Sequence, residues 1–208
     1  MPYFYNNNIN LLFIHIPKTG GSNFENYISY KYNIPLNEKS LSTKRLNNIS
    51  YQHLLYSDII KNNNIHPDFN INFHNINIIT FVRNPYSKII SELFFYGLID
   101  SSSTPEEVFI QMKDTFMVND NTYDNHNLPQ YMFIIDENNN VINNLKIIKT
   151  ETLTDDLKNV GFDDFHFFVN SDNINKDYSK YYNSDSIKLV NEYYEKDFFY
   201  FGYEMIKL

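Results

Sequence analysis

The sequence predicts a three-layer α/β fold: a central, mostly parallel sheet flanked by helices. Three observations carry this reading. Apolar, β-branched runs alternate along the chain with segments of helical spacing. The run at residues 11–15 ends in a glycine-rich turn, Pro17-Lys18-Thr19-Gly20-Gly21-Ser22, and a helical pattern follows at once. A second run, residues 76–82, stops at Arg83-Asn84-Pro85 and again gives way to helical spacing.

The elements follow in order. Residues 1–10 read as a short polar, Asn-rich lead-in, and 11–15 as the first strand. Residues 21–32 form the first helix, with Phe24, Tyr27 and Ile28 turned inward. Residues 33–50 are a polar connection, and 51–61 suit a short helix. Strand 76–82 leads into helix 86–97, whose apolar face is Ile89, Ile90, Leu93 and Phe94. Ser103 or Thr104 caps a helix from Pro105 that carries Val108, Phe109, Met112 and Phe116 inward. Residues 128–135 suit helix or strand equally. Residues 141–142 and 145–149 read as strand, and Thr152 or Thr154 opens a short helix ending at Gly161. Ser184 caps a last helix, 185–198, which Gly202 closes. Asn runs at 6–8, 62–64 and 138–140 read as loops and a hairpin turn.

Strand, glycine-rich turn with a lysine, then helix is a phosphate cradle. The glycines let the backbone curl its N–H groups inward, the helix N-terminus adds partial positive charge, and the lysine adds a full one. The lysine precedes the glycines here, unlike the G-K-[ST] order of nucleotide triphosphatase loops. Arg83 stands at the carboxyl end of a predicted central strand, where open α/β sheets place ligands. Ser91 follows about two helical turns later. The chain has only two arginines, Arg45 and Arg83, so one of them falls where a forked phosphate contact is useful.

These residues resemble the sulfotransferases that use 3′-phosphoadenosine 5′-phosphosulfate (PAPS). The resemblance runs from about Leu11 to Glu204, and its specific motifs are P-K-T-G-G-S and R-N-P-Y-S-K-I-I-S. It implies a P-loop-NTPase-like fold. It implies that Pro17, Lys18, Thr19, Gly20, Gly21, Ser22 and Asn23 hold the 5′-phosphosulfate, and that Arg83 and Ser91 grip the 3′-phosphate. Lys18 then stabilises charge on the bridging oxygen. The acceptor's proton needs a base, and histidine suits that task. His53, in Y-Q-H-L-L-Y-S-D, is similar to the catalytic histidine segment of the Golgi carbohydrate branch (heparan and chondroitin type), with Gln52 where glycine is usual. His126 and Gln130, in N-H-N-L-P-Q, resemble an acceptor-lining stretch, and His126 is the alternative base. His15 reads as structural, His66 and His74 as solvated, His166 as core or strand-edge. Glu151, Lys176 and Lys180 are minor candidates, as is the family-like run 169–171.

At 208 residues the chain reads as one domain, 1–208. A net charge of −8 argues against nucleic acid as a partner. No cysteine, no H-x-x-x-H and no D-x-D are present, so no metal is expected. No signal peptide or transmembrane run is visible, which suggests a soluble, by default cytoplasmic, protein. The sequence-level reading is thus a PAPS-dependent sulfotransferase acting on a hydroxyl of a glycan or other small acceptor. Two alternatives stay open: a small P-loop kinase-like phosphotransferase, and a catalytically inactive nucleotide-binding module.

Overall fold

The structure is a computed structural model that describes residues 2–38, 40–118, 123–165 and 177–208. The expectations on His166, on residues 169–171 and on Lys176 lie outside the described residues. In chain order the elements are β1 (Tyr3–Asn6), β2 (Ile9–Ile14), α1 (Gly21–Tyr32), β3 (Arg45–Leu46), β4 (Ile49–Ser50), α2 (Tyr56–Asn62) and β5 (Asn77–Val82). There follow α3 (Pro85–Phe95), α4 (Pro105–Gln111), β6 (Leu145–Lys149), α5 (Leu153–Asn159), α6 (Ser184–Tyr193) and α7 (Glu195–Phe201). The main sheet has the order β1-β2-β5-β6. β2, β5 and β6 run parallel, and β1 is antiparallel at the edge.

The alternation of β2 and β5 explains why both strands are mostly apolar, with Asn10 and Asn77 at their amino ends and Thr80 buried against the Ile14 carbonyl. Leu12, Ile14, Ile78 and Val82 face a layer with Phe133, Ile134 and Phe201. Leu11, Phe13, Ile79 and Phe81 face the opposite layer, packed on Phe24, Tyr27 and Ile28 of α1 and on Leu153 and Leu157 of α5. A strand covered on both sides has no polar face to show. A third cluster joins Ile89, Ile90 and Leu93 of α3 to Val108, Met112 and Phe116 and to Val190, Tyr194 and Phe198.

The structure departs from the sequence reading in a few places, each with a physical reason. Residues 3–6, read as part of a polar lead-in, form β1. Phe4 buries into the sheet, and the Asn7-Asn8 turn is closed by the Asn8 N–H donating to Asn6 Oδ1 at 2.8 Å. The segment 51–61 is not one helix. A single tight turn, Tyr51–His53, is followed by extended Leu54 and Leu55 before α2 begins. Residues 130–134, left between helix and strand, make a 3₁₀ turn. The last helix divides at Tyr194, and its cap is Asn183 rather than Ser184, accepting from the Ser186 N–H at 2.9 Å. Thr104 caps α4 as expected, with Glu107 completing a capping box.

The carboxyl ends of β2, β5 and β6 point the same way, and one hydroxyl joins them. Thr150, just past β6, has its Oγ1 2.8 Å from the Thr19 carbonyl and 3.0 Å from the Val82 carbonyl. A hydroxyl has one proton, so the two carbonyls share it. Thr150→Val keeps the shape and removes the proton. It should lower stability by about 1–3 kcal/mol in urea unfolding, the expected effect of orphaning a buried acceptor. A loss under about 0.5 kcal/mol would show that the brace is idle.

Candidate functional site

At that end of the sheet lies a cavity of about 1150 Å³. Its walls include Pro17, Lys18, Gly20 to Asn23, His53, Arg83, Ser91, Phe95 and His126. Both arginines of the chain, Arg45 and Arg83, open onto it.

The turn after β2 is shaped by two left-handed residues, Lys18 at φ 60° and Gly20 at φ 93°. Thr19 turns away from the cavity, is fully buried, and donates its hydroxyl to the Ile16 carbonyl at 2.7 Å. Gly21 must be glycine for space: a Cβ there would lie 2.7 Å from the His15 ring and 2.9 Å from Phe13. Helix α1 then starts at Gly21, with Gly20 at its N-cap supplying no side-chain cap and with no acidic residue in its first turn. Its dipole end is therefore uncompensated from within the helix and suits an anion.

Arg83 is held from behind. Its backbone N–H donates to Gln130 Oε1 at 2.9 Å, and Gln130 Nε2 donates back to the Arg83 carbonyl at 2.8 Å. Gln130 is in turn fixed by Asp197, which accepts from the Gln130 and Tyr131 backbone N–H groups, each at 2.8 Å. Burial pushes the Asp197 carboxyl up to about 6 against these hydrogen bonds. Arg83 Nη1 donates to the Lys18 carbonyl at 3.2 Å, which ties the strand tip to the lysine turn. Gln130, expected at an acceptor, is fully buried and absent from the cavity wall; it positions Arg83 instead. Glu151 likewise faces the Arg83 turn, accepting from the Asn84 N–H at 2.7 Å and the Tyr203 hydroxyl at 2.8 Å.

Three cavity histidines each give Nδ1 to a buried or half-buried carboxylate. His15 pairs with Glu25, His53 with Asp124 at 2.8 Å, and His126 with Glu92 at 2.6 Å. The rings meet edge to face, His15–His53 at 5.3 Å and His53–His126 at 4.7 Å between centroids. A neutral imidazole that donates Nδ1–H to a carboxylate keeps its lone pair on Nε2. Burial holds His53 down at about 4, opposed by the Asp124 hydrogen bond and helped by the neighbouring His15 and His126. Burial would raise Asp124, but His53 and Ser50 outweigh it and bring it to about 2. The pair is thus neutral His53 beside ionised Asp124 at neutral pH. Under His126, Lys88 and Glu92 are both fully buried, 2.8 Å apart, with Lys88 also donating to the His126 carbonyl at 2.9 Å. Burial would raise Glu92 too, yet Lys88 and His126 keep it below the ordinary carboxylate value.

Glu25, Glu92, Asp124 and Phe95 were not singled out by sequence. Asp124 sits two residues before His126 in an Asn-rich stretch, and Glu92 directly follows Ser91; neither spacing announces a histidine partner. Gln52 bonds both oxygens of Glu25, at 3.1 and 2.9 Å, so it braces the His15 pair. His66 lies apart from the cavity beside Asp68, and His74 is exposed. Lys180 is on the cavity wall and donates to the Ser101 carbonyl at 3.1 Å. His53, Asp124 and His126 offer ligand atoms within 4.8 Å of one another. The Asp124 oxygens, however, already accept from Ser50 N–H, Arg45 and His53. Among the described residues no helix is long and apolar enough to cross a membrane.

Residues 1–204 match the sulfotransferase family. No curated protein and no protein of solved structure matches the chain.

The buried His53 pair has a direct test. Its ring should titrate with a midpoint near 4 in histidine-resolved NMR, neutral above and protonated below. A midpoint at the ordinary value of about 6.5 would contradict the burial and pairing described.

Proposed function

The chain belongs to the sulfotransferase family, and on that footing we propose that it moves a sulfuryl group from PAPS to a hydroxyl of a carbohydrate acceptor. The observation that carries this reading is the sharing of one cavity. The lysine turn, the Arg83 strand tip, Ser91 and a carboxylate-backed histidine all open onto the same space, so one bisphosphorylated nucleotide can reach both anion-holding ends.

In this reading Pro17 to Asn23 cradle the 5′-phosphosulfate. Lys18 and the first-turn N–H groups of α1 meet the negative charge that grows on the bridging oxygen. Arg83 and Ser91 take the 3′-phosphate; Arg83 arrives oriented by Gln130, Asp197 and the Lys18 carbonyl. His53 Nε2 accepts the acceptor's hydroxyl proton as the acceptor oxygen attacks sulfur. The new S–O bond forms as the bond to the 5′-phosphate oxygen breaks, and 3′-phosphoadenosine 5′-phosphate leaves. Asp124 holds the tautomer and stabilises the imidazolium that results, a task it can perform because it stays ionised. His126, edge-on to His53, lies on the acceptor side.

A base with a pKa near 4 is weak, so the donor has to help. Bringing a polyanion into the same low-dielectric cavity favours the protonated imidazole and raises its pKa toward neutrality. His53 should therefore titrate higher with 3′-phosphoadenosine 5′-phosphate bound than without it, by NMR; an unchanged or lower midpoint counts against the base assignment.

Calorimetric titration with the same nucleotide tests the donor. Arg83→Ala should weaken binding of the 3′-phosphorylated nucleotide by about 1.5–3 kcal/mol, the usual worth of a charged hydrogen bond. It should leave the 3′-hydroxyl analogue, adenosine 5′-phosphate, little affected. Equal losses for both would place the 3′-phosphate elsewhere. Lys18→Ala should abolish transfer with the fold intact.

A further inference from the structure

Phe95 closes α3, one turn beyond Ser91, with 58% of its surface exposed on the cavity wall. Its ring touches two groups that belong to the chemistry proposed above. Lys18 Nζ lies 4.4 Å from the ring centroid. The His126 imidazole is stacked with it, 5.4 Å away and only 6° from parallel.

Burial lowers the Lys18 pKa, with Arg83 and Lys88 adding to that and Glu92 opposing it. Among the described residues the Lys18 ammonium makes no ion pair. The quadrupole of the Phe95 ring is then the direct contact that, with the charge of Glu92, offsets its lost hydration. His126 fixes the ring, and Glu92 fixes His126, so the place where the ammonium rests is set by α3 rather than by the flexible lysine stem.

We propose that Phe95 is a positioning residue for Lys18: its ring holds the ammonium, and an anionic donor must draw the ammonium off that ring. The proposal rests on the donor reading above. The ring and the 5′-phosphate compete for one cation, so the contact works against nucleotide affinity. Its release leaves a bare aromatic face beside His126 only after the donor is in place.

This predicts the opposite of what a lining aromatic usually does. Were Phe95 a contact for the nucleotide, removing the ring would weaken binding. If instead it holds Lys18, removing the ring removes the competitor. Phe95→Leu should bind 3′-phosphoadenosine 5′-phosphate about two- to fivefold more tightly by calorimetry, the equivalent of an ordinary cation–π contact. In a Lys18→Met background, titrated at higher protein concentration, the same change should have no effect. The exposed position of Phe95 keeps folding out of the comparison, and thermal unfolding of each variant checks that. Unchanged or weaker binding by Phe95→Leu overturns the proposal, as does equal tightening in the Lys18→Met background. If the wild-type protein shows no binding heat at all, the donor reading falls and this proposal falls with it.

Discussion

The arrangement depends on how three strand tips are held together. The carbonyls where β5 ends and where the turn after β2 passes beside it lie outside the sheet ladder, and a buried unpaired carbonyl is costly. Thr150, just past β6, meets the Val82 carbonyl at the end of β5 and the Thr19 carbonyl in the turn after β2 with one hydroxyl, and the Arg83 guanidinium meets the Lys18 carbonyl of that same turn. The lysine turn and the arginine tip are therefore fixed relative to each other before any ligand arrives. Groups held this way need not be organised when an anion arrives, and such preorganisation is what gives fixed donors their electrostatic strength.

A second constraint is where the chain spends its negative charge. The protein is acidic, yet both its arginines and Lys18 and Lys180 face one cavity. The carboxylates nearest that cavity are spoken for. Glu25, Asp124 and Glu92 each orient a histidine, and Glu151 and Asp197 hold the Arg83 turn through Asn84 and Gln130. The two carboxylates that do line the cavity are also engaged, Asp124 by His53 and Asp177 by the Ser179 N–H. The Lys88–Glu92 pair is buried without solvent, an arrangement tolerated only because His126 shares the carboxylate and its carbonyl shares the ammonium.

Much of this was legible in the sequence, for physical reasons. Two strands covered on both faces must be mostly apolar, and residues 11–14 and 78–82 are, save Thr80, whose hydroxyl is spent on the Ile14 carbonyl. The glycines of the turn answer real demands: Gly20 takes a positive φ, and Gly21 leaves room for the His15 ring. Arg83 and Ser91 both open onto the cavity because a strand tip and the helix after it are local structure. What was not legible is long-range. Asp124 and His53 stand 71 residues apart, and Gln130 reaches Arg83 across 47; no local pattern records either pairing. Gln130 stands in a motif that pointed to the neighbourhood of the cavity, and the structure pairs its fully buried amide with the Arg83 backbone. Edge strand β1 was hidden by the asparagines of its turn, and the break at Leu54 by an apolar run that suits a helix as well as an extended bend.

The account stands or falls on one nucleotide spanning both anion-holding ends. A crystal structure with 3′-phosphoadenosine 5′-phosphate bound tests that directly. The account predicts the 5′-phosphate against Lys18 and the N–H groups of Gly20 to Asn23, and the 3′-phosphate against Arg83 and Ser91. A nucleotide bound elsewhere, or seated with its two phosphates exchanged between those ends, would contradict it.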